Sequence, residues 1–537
     1  MNSSSATPSV ADVSVPLPPQ GQELSGRSPI DLHQLDVVKT TPIAEVTAIV
    51  ARARLAQPAW EALGFEGRAR MMKKACKLLL ERRAEAVRLI RDEAGKPASW
   101  ALMHEAVGPL DYVSKWIKVA RPQLRSRKLP MEALAMPGKS ARTDLVARGV
   151  VGIIAPWNYP LAVYFKPVLP ALLSGNAVVI KPSEYTPRTG AFFASVLSEV
   201  LPPDVVQIVQ GGRDVGKELV QSGIDALSFT GSPQGGRAVL GVCAERMIPC
   251  SVELGGKDPA IVLADCNLER TVLGILNWGL HNAGQDCGSV ERVYVVDEVA
   301  DRFVALLTLA ASRLLVPTHE ADVENAGIGP LANSMQLAIV QDHVQDALAQ
   351  GATLCTGGKL SGVGLWFQPT ILDQCTHAMR VIADETFGPI IPIVRVKDVD
   401  EAVRLANDSR YGLNASIWSQ DLERAQQIAQ RLQCGTVFIN NHAITGALPF
   451  APWTGVKDTG YGVANSEFAL HTFVRPRTIL VDKGTKPDPW WLPADDLLAD
   501  MAERLARVQL GAVGAALKLP GIMKQRQKRL LDLVKKA

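Results

Sequence analysis

The chain has no CxxC pair and no regular spacing among its eight cysteines, so neither a disulfide framework nor a zinc site is written into it. That usage fits a reducing compartment. It also lacks an apolar run long enough to cross a bilayer: the most apolar late stretch, residues 505–523, is interrupted by Arg507, Gln509, Lys518 and Pro520. No positive start precedes an apolar stretch at the beginning, where the first basic residue is Arg27. The Ser-, Pro- and Val-rich opening is therefore not a secretory signal, and residues 1–35 are expected to be a disordered leader. The sequons at Asn407 and Asn414 then carry no meaning. There is no internal repeat. Nor is there a large excess of either charge, since 57 Lys and Arg face 54 Asp and Glu for a net +3. Residues 504–537 hold nine basic residues against one Asp, a local +8 that leaves −5 for the remainder. A mildly acidic body is not a nucleic-acid binder by composition.

What is present is enough chain for two or three domains of roughly 100–200 residues each. From Pro58 to Arg91, Leu63, Met71, Met72, Leu78, Leu79, Val87 and Leu89 fall near a 3.6-residue period, which predicts a helix stopped by Gly95-Lys-Pro. After Ala147 the texture changes to short β-rich runs: VVGIIAP, AVVIKPS, VVQIVQGG, ALSFTGS, SVELGG, AIVLAD and RVYVV. Unbroken apolar runs mark strands covered on both faces, as in a parallel sheet. In such sheets ligands gather outside the carboxyl ends of the strands. A second α/β stretch runs from about 288 to 445, with the helix-like DLERAQQIAQRL and the strand-like GTVFIN, followed by the loop GVKDTGYG. HTFVRPRTILVD, ending at Asp482, reads as a strand.

Six short stretches could carry chemistry. NAGQDC places Cys287 behind a Gly-Gln turn, and a thiolate there needs a base and an oxyanion site. APWNYP sets Asn158 at a strand tip, where its amide could be a donor; taken alone it is equally a turn residue before Pro160. VELGGK puts Glu253 at the end of an apolar strand, where partial desolvation can raise a carboxylate toward general-base work. Its plain alternative is a helix cap or salt bridge. FTGSPQGG is a glycine-rich turn, with Gly231, Ser232 and Gly236, ahead of an expected helix whose free N–H groups suit a phosphate. KPSE offers Lys181 and Glu184 to a ribose, and a carboxylate there disfavours a 2′-phosphate. ETFGP adds Glu385 and Phe387. Each is weak singly.

Together, in this order and approximate spacing, these stretches and GVKDTGYG resemble the signature series of the aldehyde dehydrogenase superfamily, over roughly residues 40–482. The resemblance implies an α/β fold with a Rossmann-like NAD-binding domain (36–127 and 149–255) and an α/β catalytic domain (256–465). It also implies a small bridging β element for oligomerisation (128–148 and 466–482) in a homodimer or homotetramer. On the matched positions Cys287 is the nucleophile, Asn158 and the Cys287 N–H hold the oxyanion, and Glu253 activates the water that hydrolyses a thioester. Glu253 also speaks against the branch that transfers the acyl group to a thiol. Trp157, Lys181, Ser183, Glu184, Gly231, Ser232, Gly236, Leu254, Glu385 and Phe387 match cofactor positions. The cofactor implied is NAD, with NADP admitted; no metal is implied. The alternative is a non-catalytic relative that binds a nucleotide or partner, whose mark would be loss of Cys287, Asn158 or Glu253. All three are present.

Two regions depart from the family pattern. PFAPWTG, residues 449–455, and NNHAITGA, residues 440–447, do not point to any substrate class. The tail, residues 483–537, is expected to form basic amphipathic helices. A cytoplasmic protein is expected, with peripheral membrane contact through residues 494–537 and with Trp490 and Trp491 at the interface as one hypothesis. Packing of the tail on protein is the other.

Overall fold

The computed structural model describes residues 23–362 and 364–535. Residues 1–22 of the expected leader lie outside the described residues. Its remainder is not a leader. Glu23–Leu24 pairs with Val38–Lys39, Leu24 and Leu35 are buried, and the Trp366 indole donates to the Ile30 carbonyl at 2.9 Å. The helix expected over 58–91 is three helices, Ile43–Ala62, Gly64–Glu81 and Arg83–Ala94, because Gly64 adopts φ +66° and ends the first run. Pro58 sits inside the first of them rather than at its start. Gly95 closes the third at φ +70°, and a Cβ there would meet Pro330 Cγ at 2.4 Å, so both backbone and space demand glycine.

The described residues form two compact units, one of 23–123 with 147–474, the other of 124–146 with 475–535. Besides the pair Glu23–Leu24 and Val38–Lys39, the first holds two large sheets. One has six strands in the order Gly460–Tyr461, Cys250–Glu253, Ala226–Thr230, Val150–Ile154, Ala177–Lys181, Val206–Ile208. All are parallel except Gly460–Tyr461, which pairs antiparallel with Cys250–Glu253. Growth of this sheet reverses at Val150–Ile154: later strands first add on one side, then Ala226–Thr230 adds on the other. A crevice opens outside the carboxyl ends at such a switch point. Trp157-Asn158 and Gly231-Ser232 follow the two strands that border it.

The second sheet has seven strands in the order Thr353–Thr356, Thr370–Asp373, Ile390–Val396, Val290–Val296, Asp258–Val262, Asn414–Trp418, Thr436–Ile439, with only the first antiparallel. Asp258–Val262 and Val290–Val296 are buried along their whole length, which is why they read as unbroken apolar runs. Cys287 lies just before Val290–Val296.

The other unit carries a three-stranded sheet of Arg127–Leu129, Lys139–Ala147 and Val474–Asp482. Residues Ser466–Phe473, within the span expected to bridge, are a helix. The tail folds as helices Asp496–Gln509 and Leu519–Lys535 around Met501, Leu519 and Met523. Arg526 is fully buried between them, with Nη1 on Asp495 Oδ2 at 2.5 Å, Nε on the Pro489 carbonyl at 3.2 Å and Nη2 on the Trp491 and Pro493 carbonyls. Trp490 packs on the same core and donates to the Ala135 carbonyl at 2.7 Å, so it is a packing residue rather than an interfacial one. Among the described residues no helix is long and apolar enough to cross a membrane.

Candidate active site

A cavity of about 680 Å³ takes in Cys287, Glu253 and Asn158 together. Trp157, Gly231, Ser232 and Leu254 line it from the six-stranded sheet, and Glu385 and Phe387 from the ETFGP turn. Four expected positions do not line it. Lys181 and Glu184 face each other at 3.6 Å, with Lys181 Nζ also donating to the Pro182 carbonyl at 2.8 Å. The Ser183 hydroxyl accepts from the Tyr185 N–H at 3.3 Å. Gly236 sits in helix Pro233–Glu245 where a Cβ would lie 2.5 Å from Leu254 Cδ2, so its absence of side chain seats the helix on the strand.

The cysteine loop is held by residues whose roles its motif did not disclose. Asn282, Ala283 and Gly284 are left-handed in succession, at φ 51°, 57° and 71°. A non-glycine residue there costs about 1–2 kcal/mol, so surrounding contacts must impose the turn. They are present. The Gln285 side chain accepts from the Ala332 N–H at 2.8 Å and donates to the Asn282 and Pro330 carbonyls at 3.0 and 3.2 Å. The Asn158 amide donates to the Gln285 carbonyl at 3.0 Å, and Asn282 Nδ2 returns to the Asn158 carbonyl at 2.9 Å. The Asp286 carboxylate accepts from the Tyr159 hydroxyl at 2.6 Å and the Gly288 N–H at 2.9 Å. Gly284 presses on the ETFGP turn so closely that a Cβ would fall 2.0 Å from the Gly388 carbonyl oxygen. Gly284→Ala should therefore displace the Cys287 loop, lowering turnover by roughly 10²-fold or more, the cost of an ångström-scale misplacement. Retained activity within threefold, in a variant whose circular dichroism is unchanged, would contradict this packing.

Burial pushes the Cys287 thiol well above its ordinary value, and the Asp286 carboxylate pushes it further in the same direction. Lys166 opposes both. Burial likewise raises Glu253, again against Lys166. Both shifts favour the protonated forms, and Lys166 is the one lining lysine that favours the ionised ones. It lies on helix Ala162–Leu173 with Nζ 4.6 Å from the Trp453 ring centroid. Its only sequence signal is a lone cation in an apolar helix start.

Glu385 Oε1 accepts from the Gly256 N–H at 3.0 Å and lies so close over Gly255 that a Cβ there would meet Oε2 at 2.1 Å. A Cβ on Gly256 would fall 2.4 Å from the Cys287 carbonyl oxygen, so both glycines of VELGGK are explained. Burial raises the Glu385 carboxyl, and nearby Glu291 adds to that. Glu291 itself accepts from the Thr386 and Phe387 N–H groups at 2.8 Å and pairs with buried Lys257 at 2.6 Å. This buttress fixes Phe387, whose ring meets Trp157 edge-on at 5.5 Å.

Two α/β sheets with a switch-point crevice running into a cavity that holds a thiol, an amide and a carboxylate define an enzyme-like site. The sequence profile of the aldehyde dehydrogenase family matches residues 18–479, and the chain belongs to that family. It is an oxidoreductase that acts on aldehydes. It is 36% identical over 468 residues to a 4,4′-diapolycopene aldehyde oxidase of Methylomonas sp, covering 87% of each chain. It is 34% identical over 435 residues to lactaldehyde dehydrogenase of Escherichia coli (strain K12), covering 80% of this chain and 88% of that one. A solved Mycobacterium tuberculosis aldehyde dehydrogenase complexed with NAD+ superposes with a TM-score of 0.80 at 30% identity, covering 88% of this chain and 97% of that one.

Proposed function

We propose that the protein oxidises an aldehyde to its carboxylic acid through a covalent Cys287 intermediate, with NAD(P)+ as hydride acceptor. The observation that carries this is the convergence of Cys287, Asn158 and Glu253 on a cavity that also takes in Gly231, Ser232, Glu385 and Phe387. The cradle for a dinucleotide fits. Gly236 lets a 13-residue helix sit tightly on its strand with the exposed Ser232 as its cap, and the Gly231 N–H donates to the Glu253 carbonyl at 3.1 Å. Lys181 and Glu184 would take the adenosine ribose, Ser183 would flank it, Ser232 would meet the pyrophosphate, and Trp157, Leu254, Glu385 and Phe387 would orient the nicotinamide end. When bound, the dinucleotide supplies a two-electron acceptor. Glu184 favours NAD+ over NADP+. The six-stranded sheet would serve the cofactor and the seven-stranded sheet the chemistry.

Cys287 sulfur adds to the aldehyde carbon as its S–H bond breaks, the proton passing to water. Asn158 Nδ2 and the Cys287 N–H steady the oxygen that becomes negative. Loss of hydride leaves a thioester on Cys287. Glu253 takes a proton from water, whose oxygen attacks the thioester carbon; the C–S bond breaks and the acid leaves. The test is absorbance at 340 nm with a panel of aldehydes and each dinucleotide, plus detection of the acid. Reduction with acid formed in equal amount supports the reading; no reduction with any pair contradicts it.

The three-stranded sheet is proposed for homo-oligomerisation. Its outer strand Val474–Asp482 runs nine residues with an exposed edge, a template for pairing. A monomer by light scattering would refute that. For the tail, one observation favours lipid contact: Leu510, Val513 and Leu517 are 89%, 74% and 85% exposed in the turn between its helices. Arg507 and Lys518 flank them. We propose that this turn, not Trp490, meets an anionic membrane surface. Replacing all three by Ser should abolish co-sedimentation with anionic liposomes; unchanged sedimentation would end the idea.

A further inference from the structure

We infer that the aldehyde this cavity takes is predominantly hydrocarbon, aromatic or long-chain, with no second charged group. It would be seated against a wall of Trp100, His104, Trp278 and His281. The inference rests on the aldehyde-oxidising reading of the same cavity and concerns the half of it away from Ser232 and Glu385.

That half is walled by rings already packed on one another. The His281 ring lies 4.3 Å from Trp100, 4.6 Å from His104 and 5.6 Å from Trp278, centroid to centroid. Tyr112 and Trp453 add to it. A wall whose members brace each other needs no reordering when a substrate arrives. Three polar tips of this wall are spent on protein. Trp278 Nε1 donates to Asn441 Oδ1 at 3.0 Å, the Tyr112 hydroxyl to the Gly446 carbonyl at 3.4 Å, and the Tyr159 hydroxyl to Asp286. Trp453 Nε1 is buried with no protein partner. What faces the cavity is ring surface. Met103 and Ile444, both lining residues, are 56% and 47% exposed, so the rim is apolar too.

Charge points the same way. Among the described lining residues Lys166 is the only lysine or arginine, and it serves Cys287 and Glu253. Burial pushes His281 down to about 4 and lowers His104 as well, so both rings are neutral at neutral pH. Asp286, Glu253 and Glu385 supply only carboxyl groups. A substrate carboxylate would find no guanidinium fork and, in Asp286, a carboxylate of its own sign.

The experiment compares straight-chain aldehydes from propanal to octanal with succinic semialdehyde, in the full-length enzyme and in Ile444→Arg. Expected in the wild type is a rise in kcat/KM of about three- to fourfold per added methylene until the cavity is filled. Octanal should exceed succinic semialdehyde by roughly 100-fold or more. Ile444→Arg, a rim substitution, should lower KM for the semialdehyde and raise it for octanal. A flat chain-length profile, or the semialdehyde within tenfold of octanal, overturns the inference. Calorimetric titration with octanamide and with succinamate keeps the two readings apart. Should no aldehyde turn over, the oxidation reading fails, and these Kd values still decide: octanamide tighter by tenfold or more supports an apolar site, and equal or reversed affinities refute it.

Discussion

Cys287→Ser is expected to lower steady-state reduction of NAD(P)+ by aldehyde by roughly 10⁴-fold or more, because loss of an enzyme's nucleophile has effects of that order. Serine keeps the shape: Cys287 is half-buried against Leu413, Ala443 and Trp453, and a hydroxyl fits where a thiol did. It does not keep the chemistry, since a hydroxyl in this buried setting has no base strong enough to ionise it. Dinucleotide affinity should stay within a few-fold, because none of the expected cofactor contacts is Cys287. A serine enzyme turning over at a tenth of the wild-type rate would remove the sulfur from the reaction, whatever the cavity looks like.

Glu253→Gln is expected to separate the two halves of the reaction. Hydride transfer does not need the carboxylate, so one equivalent of reduced dinucleotide per site should appear in the first turnover. Steady-state turnover should then fall by roughly 10²–10³-fold, the usual contribution of a general base. The wild-type pH profile follows from the same group. Glu253 must be ionised to take a proton, and burial raises it above the ordinary carboxylate range. The acid limb of the steady-state rate should therefore sit above that range, with activity lost as pH falls through it. Lys166 favours the ionised form, so Lys166→Met should move the limb to still higher pH. A limb that moves down, or does not move, would detach Lys166 from both groups.

Much of this was legible in the chain. The strands that position the site are largely buried, so VVGIIAP, AVVIKPS and SVELGG announce themselves as apolar runs, and the turns that follow each carry a candidate residue. Asn158, Glu253 and Cys287 were each ambiguous alone, and only their common order with the other stretches singled them out. What stayed hidden depends on contacts far apart in sequence. His281 meets Trp100 and His104, with most of the six-stranded sheet between them in sequence, and no local period foretells that stack. Asn282, Gln285 and Glu291 act by holding backbone groups of other loops, so they look like ordinary polar residues in the string. The tail shows the same limit. Its apolar positions were visible, but which would form a core with Met501 and Met523 and which would stand exposed, like Leu510 and Leu517, depends on where the two helices turn.

The claim on which the rest depends is that acyl groups pass through the Cys287 sulfur. Mass spectrometry of Glu253→Gln enzyme, mixed with octanal and NAD+ and quenched in acid within a turnover, tests it most directly. The account predicts that the protein gains the mass of one octanoyl group, and that digestion places it on the peptide bearing Cys287. An unmodified Cys287 peptide beside a full equivalent of NADH would mean that the aldehyde is oxidised without ever being carried on that sulfur.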